Sequence, residues 1–229
     1  RAQSILWMPK SKRDRKVTLS KTQKKGRARK ESIVEEVRGC VDSFKACYIF
    51  TSDNMRNAAL KNVRQQLSGS RIFFGHTKLL AAALGKTASH EYRDGLSEAA
   101  AMLRGHEAGM LFTNESHNMI NRTFDESQME EFARAGTEAT DTISLEEGSL
   151  DGFPHNMEPY LRKLGLPTKL NNGVVHLLAP HTVCREGHAL DADQAKLLQL
   201  LGIKMSIFKL TLRCRWSDGD LQVFHHGDE

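Results

Sequence analysis

Apolar residues along this 229-residue chain switch between two spacings. Ile33, Val34, Val37, Val41 and Phe44 recur at steps of three and four, which predicts an amphipathic helix with one buried stripe. Cys47-Tyr48-Ile49-Phe50 is a short apolar run and predicts a buried strand. Ser52, Asp53 and Asn54 offer N-cap side chains for a helix reaching about Leu67, with Met55, Ala59, Val63 and Leu67 inward. Ile72-Phe73-Phe74-Gly75 reads as a second strand. A helix from about Lys78 to Leu84 stops at Gly85, and more helix is predicted from about Ser89 to Arg104. Gly109 to Thr113 reads as a third strand. Asp125 reads as the cap of a further helix with Met129 and Phe132 inward. This order of helices and strands predicts an α/β layered domain.

The character changes near Gly136. From there to about Leu190 the chain holds four of its five prolines, small residues and short strands. Thr168–Leu170 and Val174–Leu178 flank Asn171-Asn172-Gly173, a hairpin signal. Asp191 caps a helix with Ala195, Leu198 and Leu201, closed by Gly202. A strand follows, alternating at Ile207, Leu210, Leu212 and Cys214. Four segments result: an N-terminal arm (1–30), the first part of the α/β domain (31–135), a smaller α+β insertion domain (136–190), and a return to the α/β domain (191–229).

Charge separates the arm from the rest. Residues 1–30 hold twelve Lys or Arg and one Asp, a net of +11, whereas the remainder holds 21 basic and 27 acidic residues. Residues 10–30 carry almost no apolar side chains, so they cannot fold alone and are expected to order on a polyanion. The expected RNA contacts are Lys10, Lys12, Arg13, Arg15, Lys16, Lys21, Lys24, Lys25, Arg27 and Lys30. A nuclear-import signal is compatible with the same charges.

No run approaches the roughly 18 apolar residues of a membrane helix. Four irregularly spaced cysteines (Cys40, Cys47, Cys184, Cys214) do not form a disulfide framework, and a reducing compartment is expected.

Catalytic motifs are weak. Gly85-Lys86-Thr87 lacks the upstream glycine of a phosphate loop, since that position is Leu80, and a helix C-cap explains Gly85 better. His181, Cys184 and His188 lack a fourth ligand for a closed zinc site. The carboxylates at Glu35-Glu36, Glu130-Glu131 and Glu146-Glu147 are scattered. The expectation is therefore no enzyme, no metal and no cofactor.

Two donor-rich segments stand out instead. Asn54, Arg56, Asn57, Lys61 and Arg64 place donors at the start and along one side of a predicted helix. Gly75, His76, Thr77 and Lys78 form a glycine turn out of a strand, with donors at the next helix start. Helix N-termini favour phosphate, and such side chains suit backbone and base-edge contacts in folded RNA. Exposed polar helix faces are the alternative account.

The order of motifs resembles the mRNA turnover protein 4 family. The resemblance rests on Met8-Pro9-Lys10-Ser11-Lys12-Arg13, Lys24-Lys25, Tyr48-Ile49-Phe50 with Asn54-Met55-Arg56-Asn57, and Arg71-Ile72-Phe73-Phe74-Gly75 with Lys78. It extends through Gly109-Met110-Leu111-Phe112-Thr113-Asn114, Gly165-Leu166-Pro167-Thr168 and the run Ala195 to Ile203. It implies a ribosome-assembly homologue of the stalk-base protein P-zero, with an α/β domain interrupted by an insertion domain. Implied partners are large-subunit rRNA at the stalk base, proteins of pre-60S particles and a release factor, in the nucleolus and nucleus. Where relatives often carry Gly-Lys-Asn, this chain has Gly75-His76-Thr77, so one fixed cation is replaced.

P-zero proper continues into stalk-binding helices and an acidic tail. The sequence ends at Glu229 without an Ala-rich acidic extension, which favours an assembly factor over a mature stalk-base protein. An RNA-processing enzyme would want clustered carboxylates, which the sequence does not offer. A protein-only adaptor is the remaining alternative.

Overall fold

The structure, a computed structural model, describes residues 26–87, 89–103 and 107–224. The first helix, α1, spans Arg27–Ser43 and leads into β1, Ala46–Asp53. Then come α2 (Asn57–Gln66), β2 (Arg71–Phe74), α3 (Thr77–Leu84), α4 (Leu96–Met102), β3 (Ala108–Thr113) and α5 (His117–Glu126). The short β4 (Met129–Glu131) leads out of the domain, and β10 (Ser206–Ser217) and β11 (Asp220–Val223) return to it. The order of element types through α5 matches the expected one.

The main sheet runs β11-β10-β1-β3-β2, with β4 on the free side of the β10 start, and every pairing is antiparallel. Helices cover both faces, giving the expected layered α/β domain. Alternation in β1 explains how. Cys47 and Ile49 point to a core shared with α1, α3 and α4. Ala46, Tyr48 and Phe50 point to a second core with α2 and α5.

In β10 every second residue from Ser206 to Trp216 is buried, yet the two halves face opposite sides. Phe208, Leu210 and Leu212 join the α2/α5 core, and Cys214 and Trp216 the other. A bulge at Arg213 causes the switch: Phe50 pairs with Leu212, but Ile49 pairs with Cys214. Ile207, expected inward, is 55% exposed because it lies on the opposite phase.

The chain between β4 and β10 builds its own core. Strand β5 (Ile143–Leu145) pairs with β9 (His181–Cys184). Strand β6 (Gly148–Ser149) pairs with β8 (Val174–Leu177), which pairs with β7 (Thr168–Asn171). The β7–β8 hairpin forms where expected, with Asn172 and Gly173 both at positive φ (50° and 84°). Helices α6 (Glu158–Lys163) and α7 (Ala192–Leu200) close this unit around Leu161, Val175 and Leu177. Asp191 and Gln194 form a capping box on α7. Leu197 and Leu198 of α7 share this core with Leu190, so α7 packs with the middle unit and the chain returns to the main sheet only at β10.

Four other expectations are corrected. Helix α1 begins at Arg27, so Arg27 to Lys30 are helical and not part of an unfolded arm; Arg27 reaches Glu31 one turn on, at 2.7 Å. Asp125 lies in the last turn of α5, whose cap is Ser116, accepting from the Met119 amide; Met129 is on a strand. Between Ser89 and Leu103 only α4 is helical among the described residues, because Gly95 at φ 80° starts it late. The α2 cap is Arg56, not Ser52, Asp53 or Asn54, because β1 continues through Asp53.

All four cysteines are free thiols, and burial pushes Cys47 and Cys214 above the ordinary thiol range. No helix among the described residues is long and apolar enough to cross a membrane.

Candidate nucleic-acid interface

Register brings three segments to one end of the main sheet. Phe50 and Phe74 both pair with Gly109, so β1 and β2 run in the same direction and end on the same side of the sheet, β1 three residues further on. Helices α2 and α3 start just beyond. Helix α1 runs back along β1, so its first turn lies at this end as well.

The α1 and α3 starts meet in a groove of about 580 Å³ lined by Lys30, His76, Thr77, Lys78, Leu79 and Ala82. The chain leaves β2 through Gly75 and His76, both left-handed (φ 84° and 52°). The His76 carbonyl accepts from the Leu79 and Leu80 amides at 2.7 and 3.1 Å, which starts α3. No acidic side chain occupies the first turn of α3 or of α2, so the positive helix ends are unopposed there. Lys30, His76 and Lys78 are exposed around the groove.

Helix α2 stands on the opposite face of the sheet. It buries Ala59, Leu60 and Val63 and exposes Asn57, Lys61 and Arg64, spaced along one side. Asn54 and Arg56, in the loop before it, hold partners within the protein. Asn54, at φ 51°, donates its side-chain amide to the Ile207 carbonyl at 3.0 Å. Arg56 donates to the Phe132 carbonyl, and its Nε lies 3.6 Å from Glu131 Oε2. Its side chain is only 15% exposed. Asn54 and Arg56 thus tie the start of α2 to the chain at Ile207 and Phe132, and Arg56 is largely covered in doing so. Composition could not reveal this, because their acceptors lie more than seventy residues away in sequence.

Of the other expected contacts, Arg27 is exposed at the start of α1. Lys10, Lys12, Arg13, Arg15, Lys16, Lys21, Lys24 and Lys25 lie outside the described residues. The structure adds two cations at this end that the sequence reading passed over. Arg29 neighbours Lys30 on the exposed first turn of α1, and Lys209 is exposed opposite Asp53. Strand alternation alone marks Lys209 as outward; only the pairing puts it at this end.

The residues weighed for other chemistry are structural. Gly85 ends α3 at φ 102°. Cys184 is buried and donates to the Asp141 carbonyl at 3.4 Å, while His188 sits exposed on a turn. Among the described residues no three His, Cys, Asp or Glu are grouped to hold a metal ion.

Comparison with known proteins agrees with this architecture. The family described as ribosomal protein L10 matches residues 25–128. The insertion domain found in the 60S member of that ribosomal protein family matches residues 133–203. Ribosome assembly factor mrt4 of Neurospora crassa is 39% identical, over 94% of this chain and 92% of that protein. Ribosome assembly factor MRT4 of Saccharomyces cerevisiae is 34% identical, over 94% of this chain and 97% of that protein. Large ribosomal subunit protein uL10x of Arabidopsis thaliana is 21% identical, over 79% of this chain and 56% of that protein. With its L10-type sheet, its insertion and this identity along nearly its whole length, the chain belongs to the Mrt4 family of ribosome assembly factors.

Proposed function

We propose that this protein is a non-catalytic rRNA-binding assembly factor that holds the stalk-base site on precursors of the large ribosomal subunit. The observation that carries the reading is the pair of likenesses. The chain matches assembly factors over 94% of its length, and it shares its L10-type domain with a mature ribosomal protein. Two proteins with one RNA-binding scaffold compete for one site, so the first must leave before the second binds. The greater identity to assembly factors sets this chain on the precursor side of the exchange.

The partners are large-subunit rRNA at the stalk base, neighbouring proteins of the pre-60S particle and a factor that drives release. The location is the nucleolus and nucleus, with passage to the cytoplasm on pre-ribosomes.

The RNA face is centred on the groove between α1 and α3. Lys30, Lys78 and the Gly75–His76 turn take phosphates, with Arg27, Arg29 and Thr77 at the margin. Asn57, Lys61 and Arg64 extend the face along α2. The arm from Lys10 to Lys25 follows the backbone and supplies charge without reading sequence. The folded end supplies the fixed shape that sets register.

Salt dependence tests the arm. If about six of its cations meet phosphate, log K against log salt slopes at about −4 to −5. Deleting residues 8–25 flattens that slope and leaves α1 and the fold intact. An unchanged slope excludes the arm. Crosslinking in cells tests the site: contacts at stalk-base rRNA are expected, and their absence overturns the reading. Incubation with structured RNA and divalent metal is expected to give binding without cleavage.

A further inference from the structure

The insertion unit is acidic, whereas the arm gathers the cations. Residues 136–190 hold seven Asp or Glu and four Lys or Arg. The three-stranded sheet of this unit has β8 at its centre, paired with β6 on one side and β7 on the other. Side chains along β8 alternate between its two faces. Val175 and Leu177 point inward, to the core they share with Leu161 of α6 and Leu197 of α7.

Val174, His176 and Leu178 point the other way. Leu178 keeps the strand's register, because its amide donates to the Pro167 carbonyl at 2.8 Å. Val174 is 37% exposed and Leu178 54%. One face of the sheet therefore has its helix layer, and the other turns an apolar stripe to solvent. From Val174 to Leu178 that stripe is about 13 Å long.

Carboxylates run along one flank of the stripe. Gly148 pairs with Leu177 and Ser149 with His176, and the Leu150 amide donates to the Val175 carbonyl at 2.7 Å. Glu147 therefore stands beside Leu178, and Asp151 beside Val174. Glu146 adjoins Glu147, and all three acids are exposed. The other flank brings one cation: Lys169 pairs with His176, while Asn171 pairs with Val174. Among the described residues none of these four charged side chains is in an ion pair.

We propose that this face docks an amphipathic helix of a partner protein, apolar along one stripe and basic beside it. Both edges of β8 are already paired, so its side chains are what it offers, and the element that covers a sheet face in a layered unit is a helix. Apolar residues at i, i+4 and i+8 of a helix span about 12 Å, close to the length of the stripe. Lysines or arginines beside them meet Glu147 and Asp151. The same carboxylates repel RNA phosphates, and a phosphodiester chain gains nothing from Val174 and Leu178. The site lies on the insertion and does not depend on the rRNA reading.

The test is calorimetric titration of the full chain with a capped peptide of four Ala-Leu-Lys-Ala repeats, which sets leucines at every fourth position with a lysine beside each. Saturable one-to-one binding is expected. Leu178→Gln weakens it about tenfold without changing thermal unfolding, because the side chain is exposed. Leu170→Gln is the control: Leu170 pairs with Val175, on the inner side of the same hairpin, and its loss leaves binding unchanged. Glu147→Lys combined with Asp151→Lys weakens binding by a similar factor, and a peptide with glutamates in place of its lysines recovers it. Absence of saturable binding overturns the proposal, as does binding indifferent to Leu178→Gln or reduced equally by Leu170→Gln. If the peptide binds only a chain lacking residues 1–25, the basic arm is the occupant and the partner is excluded.

Discussion

The Arg56 guanidinium donates to the Phe132 carbonyl, and so ties the start of α2 to the strand that leads into the insertion. Asn54 does the same for the strand that returns, through the Ile207 carbonyl at 3.0 Å. One short loop after β1 therefore grips both crossings between the two units.

Arg56→Ala is expected to lower unfolding stability by about 1.5–3 kcal/mol, because a charged hydrogen bond is lost from a largely covered site. Lys61→Ala, at an exposed position of the same helix, leaves stability unchanged and weakens RNA binding. Denaturant titration and RNA binding of both variants check the pair. Equal stability of the two proteins contradicts the tie.

The α1–α3 groove predicts additive phosphate contacts. Lys30→Ala and Lys78→Ala each reduce the salt slope of rRNA binding by about one. The loss is uniform across RNA sequences, because phosphate contacts do not read bases. A filter-binding series over several salt concentrations reads this out.

Gly109 packs where no side chain fits. An added Cβ meets Phe50 Cζ at 2.6 Å and the Phe73 carbonyl at 2.9 Å. The second is backbone on the neighbouring strand and cannot swing aside. Gly109→Ala is expected to cost about 1–3 kcal/mol, measured as a lower denaturant midpoint with an unchanged slope.

His117 gives a pH dependence with a definite sign. Burial, then Arg215, lower its pKa in the folded state. Below an ordinary imidazole pKa of about 6.5 the unfolded chain takes up a proton that the folded chain resists. Stability therefore falls as pH drops below that value and is unaffected by this group well above it. His117→Phe keeps the stack with Tyr48 and Phe224 and flattens the acid limb of a Tm-against-pH curve. An unchanged limb shows that other groups carry it.

Turns and caps were readable from neighbouring residues because local chemistry selects them. Asn172-Gly173 makes its hairpin, Asp191 caps α7 and Gly85 ends α3 as their side chains dictate. Where two local signals competed, the pattern misled. Asp125 looked like a cap, but Ser116 takes that role one helix length earlier, and the backbone after Asp125 is drawn into pairing with β10.

The site divided in the same way. The abundance of cations, and their concentration before Lys30, follow from composition alone. Which of them act together does not. Lys30 meets His76 and Lys78 because α1 and α3 pack on one face and β1 and β2 run in the same direction through their shared neighbour β3. Arg56 and Asn54 are tied to the carbonyls of Phe132 and Ile207, which are distant in sequence. Alternation in β10 marks buried positions, but the bulge at Arg213 chooses which core each residue enters. Short-range preferences are set by a residue and its neighbours; whether a donor faces RNA or protein depends on packing that brings remote segments together.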